Sequence, residues 1–247
     1  MILLIDIGNS RIKWTTMQPA SVAPGRAVPW SHENLDSLFE AHWRILPRID
    51  AVWVANVAGP EIEQRLRRVM QRRFDVDPKF VRSSASLGGI RNSYKEPTQL
   101  GVDRLVAMVA AYRRWRAAVC VVDCGTAVTV DLVDGEGVFR GGVIAPGTSL
   151  MRRALALDTH GLPLTEITAS TVGARTTEAG IAAGCLLAVS GLIGRVHSEF
   201  SHELGAALQC VLTGGEALQV LPTLNLPCDH DPDLVLHGLA FLAGSER

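Results

Sequence analysis

Leu3-Leu4-Ile5-Asp6-Ile7-Gly8-Asn9-Ser10-Arg11-Ile12-Lys13-Trp14 lies near the start of the chain, and its pattern returns far downstream as Cys120-Val121-Val122-Asp123-Cys124-Gly125-Thr126-Ala127-Val128-Thr129-Val130. Each copy is an apolar run ending in Asp-x-Gly and then Asn or Thr, followed by a small or polar residue and a resumed β-branched stretch. The pattern predicts a hairpin whose first strand is buried and whose turn carries the chemistry. Glycine lets the backbone turn sharply and come close to a bulky anion. Asn9, Ser10 and Thr126 add amide or hydroxyl groups, and exposed main-chain N–H groups in such turns bind phosphate oxygens. The carboxylate before each glycine repels phosphate, so it is expected to work through a cation. Two such turns facing each other are expected to clamp a nucleoside triphosphate and its metal.

Lys13 strengthens the first copy. On a strand of period two it shares the face of Arg11 and opposes Ile12 and Trp14. There it either reaches phosphate or remains a solvated charge on an edge strand. No Gly-x-x-x-x-Gly-Lys-(Ser/Thr) occurs, and no Gly-x-Gly-x-x-Gly follows the first strand, which excludes a P-loop and a Rossmann site.

The 247 residues, 47% of them hydrophobic, suffice for one large domain or two lobes and exclude a mainly disordered chain. A net charge of −1 gives no overall pull towards nucleic acid or anionic membrane. Asp6 interrupts the apolar start too early for a signal peptide or a membrane span. The least polar helical stretch, Ile181 to Gly194, reads as too short to cross a bilayer. Cys120, Cys124, Cys185, Cys210 and Cys228 are scattered, with no Cys-x-x-Cys, as expected for reduced, mostly buried thiols in a cytoplasmic protein. Cys228-Asp229-His230-Asp231-Pro232-Asp233 has metal-binding residue types, but they are adjacent rather than spaced on one face, and prolines mark a turn.

Strands are expected at Ile2–Ile5, Arg11–Thr15 and Ala51–Ala55, with a loop or strand edge around Pro19, Pro24 and Pro29. Helices are expected over Asn34–Trp43 and from Gly59-Pro60 through Phe74, the second burying Ile62, Leu66, Val69 and Met70. Its other face carries Arg65, Arg67, Arg68, Arg72 and Arg73, read as a solvated face in preference to a nucleic-acid patch. A linker-like run, Ser83 to Gly89, leads to Tyr94 and then to a helix from about Leu105 to Trp115. A second lobe starts near Ala117 with the repeated hairpin. It continues through a helix near Leu150, a helix over Ile181–Phe200, a strand at Val211–Leu212 and a last helix after Leu234. The alternation gives an α/β class, with lobes at 1–116 and 117–247.

Asp103 is the candidate acid–base residue. A carboxylate at a helix start sits at the positive end of the dipole, which favours the ionised form that a general base for a hydroxyl needs. Alone, it reads more readily as a charge that only stabilises the helix. Arg104 beside it offers a fork of donors for a carboxylate or phosphate. Gly101 leaves room for a ligand near the backbone, and Tyr94 offers an amphipathic wall.

Together, Asp6-x-Gly8-Asn9-Ser10-x-x-Lys13, Gly101-x-Asp103-Arg104 and Asp123-x-Gly125-Thr126-Ala127 resemble the type III pantothenate kinase family. Asn92-x-Tyr94-x-x-Pro97-x-x-Leu100, Ala145-Pro146-Gly147 and Thr213-Gly214-Gly215 fit the same pattern, so the resemblance runs nearly the whole chain. It implies two ribonuclease-H-like lobes related by duplication, in the acetate and sugar kinase/Hsp70/actin superfamily, with nucleotide between them. It also implies a cytoplasmic homodimer that uses ATP to make phosphopantothenate in the first committed step to coenzyme A, with no nucleic-acid or membrane partner.

Carried over by the resemblance, Asp6, Ile7, Gly8, Asn9, Ser10, Arg11, Ile12 and Lys13 form the first phosphate loop, and Gly125 with Thr126 the second. Asp103 is the base for the pantothenate hydroxyl, while Tyr94, Gly101, Val102, Asp103 and Arg104 hold the substrate. Asp123 matches the ligand of a monovalent cation (potassium or ammonium). Magnesium accompanies the ATP, with Asp6 reaching it through water. A pantothenate-touching threonine of the family matches Thr177, although Thr176 stands where asparagine is usual. Two rivals remain: a kinase of the same build with a sugar or small carboxylate as acceptor, and a non-enzymatic regulator supported by the arginine-rich helix.

Overall fold

The computed structural model describes residues 1–19, 21–167 and 172–245. The chain forms two compact units, Met1–Arg113 with Asp233–Arg247, and Arg114–Pro232.

The first unit begins with β1 (Ile2–Ile7) and β2 (Arg11–Gln18), an antiparallel hairpin in which Asp6 lies directly opposite Lys13. The proline-rich stretch supplies short strands, β3 (Ser21–Val22) and β4 (Arg26–Pro29), that pair with β2. Then come α1 (Leu35–Trp43), β5 (Ala51–Asn56), α2 (Pro60–Phe74) and β6 (Lys79–Phe80), with β5 parallel to both β1 and β6. Proline at the first turn of α2 loses no helical hydrogen bond, since that N–H has no partner within the helix. Strand side chains alternate between faces. Leu3, Ile5, Ile7, Ile12, Trp14, Val52 and Val54 therefore share one face and pack with Leu35, Phe39, Ile62 and Leu66 of the helices. The run expected to be linker-like holds a small hairpin, β7 (Ser86–Leu87) with β8 (Ile90–Arg91). Gly88 and Gly89 form its tip at φ +57° and +97°, conformations that suit a two-residue turn. Helix α3 (Val102–Trp115) starts three residues earlier than expected, so Asp103 and Arg104 lie inside its first turn.

The arginines of α2 are largely engaged within the unit. Arg65 pairs with Asp36, Arg67 with Glu63 and Asp77, and Arg73 donates to the Arg44 carbonyl.

The second unit repeats the plan. Strands β9 (Val119–Cys124), β10 (Ala127–Val133) and β11 (Phe139–Pro146) run antiparallel, and α4 (Thr148–Asp158) and α5 (Thr177–Leu204) follow. Next come β12 (Gln209–Thr213), parallel to β9, then α6 (Ala217–Val220) and β13 (Asp229–His230). The sheet order β11-β10-β9-β12-β13 matches β4 or β3-β2-β1-β5-β6 of the first unit, which is the internal duplication expected from the paired hairpins. Cys120, Val122, Cys124, Val128 and Val130 pack against Leu186, Val189, Ile193 and Phe200 of α5.

Two sequence expectations need correction. The chain's last helix, α7 (Leu234–Ser245), belongs to the first unit, where it packs on β1, β2 and β5. Ile2 and Leu4 point away from the Leu3–Ile5–Ile7 core yet are buried, so that second sheet face needs an apolar cover. The second lobe accordingly ends at Pro232. Helix α5 is 28 residues long, extending the expected Ile181–Phe200 helix at both ends, and its most apolar window has a mean hydropathy of 1.8. By length and composition alone it is long enough to cross a membrane. In the fold it serves as the core helix of the second unit, burying Ile181, Leu186, Val189 and Ile193.

Candidate functional site

The two Asp-x-Gly turns are built alike. Strands β1 and β9 share one burial pattern, in which the aspartate is the half-buried position. The first turn closes through Gly8 N–H to the Arg11 carbonyl at 3.0 Å, and the second through Gly125 N–H to the Ala127 carbonyl at 3.2 Å. The second is a residue shorter, which leaves Gly125 and Thr126 as its tip. In the first, Ile12 and Trp14 enter the core while Arg11 is exposed and Lys13 half-buried, as the alternation predicts.

A residue that the pattern did not single out holds the first turn. Trp30, just past β4, donates its indole N–H to the Gly8 carbonyl at 2.9 Å and its backbone N–H to the Ser10 carbonyl at 3.2 Å. A lone tryptophan after a proline-rich edge gives no local sign of such a role.

The Tyr94 to Arg104 group also comes together within the first unit. Arg104 is buried, donates to the Tyr94 hydroxyl at 3.2 Å and lies over its ring at 5.9 Å. Asn92 shapes the preceding loop, with its amide donating to the Ser84 and Pro97 carbonyls and its oxygen accepting from Tyr94 N–H. Asp103 Oδ1 accepts the Arg104 backbone N–H at 2.8 Å. A Cβ at Gly101 would stand 2.6 Å from that same oxygen, so glycine there is required by the carboxylate's position. Burial pushes the Asp103 carboxyl above the usual carboxylate range; the Arg104 N–H and guanidinium act in the opposite direction and are outweighed. The helix-dipole expectation of a favoured ionised form is therefore reversed in net effect. A raised pKa makes the carboxylate a stronger base.

In the second unit, the Asp123 carboxylate and the Cys124 carbonyl pack closely against Gly214. A Cβ at Gly214 would meet Asp123 Oδ1 at 2.3 Å and the Cys124 carbonyl at 2.5 Å, and Gly214 has φ +94°. A carboxylate and a carbonyl brought together in this way are oxygen donors suited to a hard cation. Among the described residues no cluster of three or more His, Cys, Asp or Glu could hold a metal. Asp229, from the metal-like run, pairs instead with Arg114. Thr176 is the N-cap of α5, its hydroxyl accepting from Ala179 N–H at 3.2 Å. Thr177, the next residue, lines an apolar groove of about 970 Å³ with Pro146, Leu150, Ile181 and Gly184.

Two duplicated units of this sheet order, each with an Asp-x-Gly turn between its first strands, define the actin-like ATPase and sugar-kinase class of fold. Solved structures agree. One, described as a Baf family transcriptional activator from Campylobacter jejuni, superposes with a TM-score of 0.62 at 17% identity, covering 99% of this chain and 98% of that one. Another, described as a 2-dehydro-3-deoxygalactonokinase from Sinorhizobium meliloti, gives 0.58 at 13% identity, covering 100% and 99%. The chain belongs to the type III pantothenate kinase family, whose sequence model matches residues 2–199. A type III pantothenate kinase of Nitrosococcus oceani is 39% identical over 98% of this chain and 94% of its own length.

Proposed function

We propose that this chain transfers the γ-phosphoryl group of ATP to the hydroxyl of pantothenate, giving 4'-phosphopantothenate in the first step of coenzyme A biosynthesis. The observation that carries the reading is the Gly101–Arg104 turn with Tyr94, which sets a half-buried carboxylate beside a fixed guanidinium, in a chain of this family. Asp103 takes the hydroxyl proton as the oxygen bonds to phosphorus, and ADP leaves with the bridging electrons. Phosphoryl transfer asks for positioning and charge neutralisation more than covalent help, and turns with exposed N–H groups supply both. Residues 6–13 and Gly125 with Thr126 are the proposed phosphate contacts. Tyr94, residues 101–104 and Thr177 are the proposed pantothenate contacts. Thr176 is already spent on its cap, which favours Thr177 of the two.

Magnesium enters with the nucleotide and neutralises phosphate charge, with Asp6 reaching it through water. This fits a fold without a dedicated acidic cage among its described residues. Asp123 is the proposed ligand of potassium or ammonium, supported by the Cys124 carbonyl oxygen that meets its carboxylate at Gly214. We further infer a cytoplasmic homodimer without nucleic-acid or membrane partners. Val143, Ile144, Leu157 and Leu187 of the second unit are exposed apolar residues that a second copy would cover. The engaged arginines of α2 take away the main support for a nucleic-acid-binding regulator.

An assay with labelled ATP, potassium and a panel of pantothenate, sugars and small carboxylates tests the proposal. Pantothenate-dependent transfer is expected. Preference for another acceptor would redirect the assignment to a kinase of the same build.

A further inference from the structure

We propose that Glu216 is a positioning residue that sets the Gly125–Thr126 turn for nucleotide; the inference rests on the phosphate role proposed for that turn. Helix α4 starts at Thr148, and its N-cap is Gly147, which has no side chain to satisfy the first N–H groups. A serine or aspartate cap is barred there. A Cβ at 147 would lie 2.1 Å from the Gly125 carbonyl oxygen and 2.8 Å from that of Thr126. The cap comes instead from 68 residues away, where the Glu216 carboxylate accepts Thr148 N–H at 3.0 Å and Thr148 Oγ1 at 2.8 Å. It also accepts Ser149 N–H at 3.2 Å.

These bonds close a ring around the turn. On one side Glu216 N–H donates to the Cys124 carbonyl at 2.9 Å, and on the other Gly147 N–H donates to the Thr126 carbonyl at 2.9 Å. The Glu216 carboxylate joins the two sides by drawing the start of α4 to its own loop. Thr148 is fully buried, so loss of the carboxylate strands its hydroxyl and amide away from water. The start of α4 then shifts to find partners, and Gly147 moves off the carbonyl that shapes the tip of the turn. Catalytic and binding constellations lose function on displacements of about 1 Å.

The test uses Glu216→Ala and the milder Glu216→Gln, which keeps one acceptor oxygen but turns a donor towards the Ser149 N–H. The readouts are the ADP dissociation constant, KM for ATP and KM for pantothenate. For Glu216→Ala the ADP constant and the ATP KM are expected to rise about tenfold while the pantothenate KM stays within about twofold. Glu216→Gln should fall between it and the parent chain, and decides the matter if the alanine variant does not fold. A lowered melting temperature with unchanged ADP binding, or equal loss in both KM values, would overturn the proposal. If the parent chain itself leaves pantothenate unphosphorylated, the functional reading fails, while ADP titration of the variants still judges the strut.

Discussion

The indole N–H of Trp30 reaches the carbonyl oxygen of Gly8 at 2.9 Å, so a side chain beyond β4 fixes the turn between β1 and β2. Phenylalanine keeps most of the ring's packing but loses this donor. A net hydrogen bond is worth about 1 kcal/mol, so Trp30→Phe should raise the KM for ATP about fivefold. The KM for pantothenate should not change. Steady-state kinetics with each substrate varied in turn checks this, and an unchanged ATP KM would show the bond to be idle.

Asp103→Asn should lower turnover by about two orders of magnitude or more while ADP binding persists. Its stability should move the other way. The carboxyl's pKa is raised in the fold, so the folded state binds that proton more tightly than the unfolded chain. The associated stability is present below the ordinary aspartate range and is lost as pH rises through the folded value. The asparagine variant should therefore melt higher than the parent chain at neutral pH, with the gap closing in acid. Melting curves across pH measure this directly. The acid limb of the parent's rate profile should likewise lie above the ordinary carboxylate range, because a protonated Asp103 accepts nothing.

Gly101→Ala separates placement from folding. The added methyl strikes the Asp103 carboxylate oxygen, a side-chain tip that can rotate away, and the backbone there does not need positive φ. Melting temperature should hold, and kcat should fall about tenfold to a hundredfold as the base leaves its position. Full activity in this variant would disconnect the Gly101–Asp103 approach from catalysis.

Potassium dependence tests Asp123. Turnover should drop when sodium replaces potassium and recover with potassium or ammonium. Asp123→Ala should be slow and indifferent to which of these ions is present. A parent chain equally active in sodium would remove the cation role.

Gly238→Ala probes the seat of the final helix. A Cβ there would meet the Val106 carbonyl oxygen at 2.2 Å and its Cγ1 at 2.7 Å, so backbone has to move. Overpacking of this kind costs about 1–3 kcal/mol. Denaturant unfolding should show that loss, with both KM values unchanged.

The paired hairpins, their Asp-x-Gly turns, the arginine-rich helix and the Gly101–Arg104 opening of α3 were legible because each rests on spacing within a few residues. A strand alternates with period two, a helix repeats every 3.6 residues, and a turn needs its glycine locally. The α5 boundaries were less legible, since the mostly polar residues 177–180 and 201–204 carry the helix past its apolar run at both ends, up to Gly205, where φ is +61°.

From one dimension alone came the duplication, the α/β class and most of the candidate contacts, since twin motifs at strand ends repeat wherever the chain folds. The tertiary structure alone decided that the last helix covers the first sheet and that Trp30 steadies one turn. It also decided that Glu216 caps a helix 68 residues distant and that burial, not the helix dipole, governs Asp103. Each depends on which surfaces meet after the chain has turned back on itself. Proximity of that kind sets desolvation and hydrogen bonding, and no local pattern carries it.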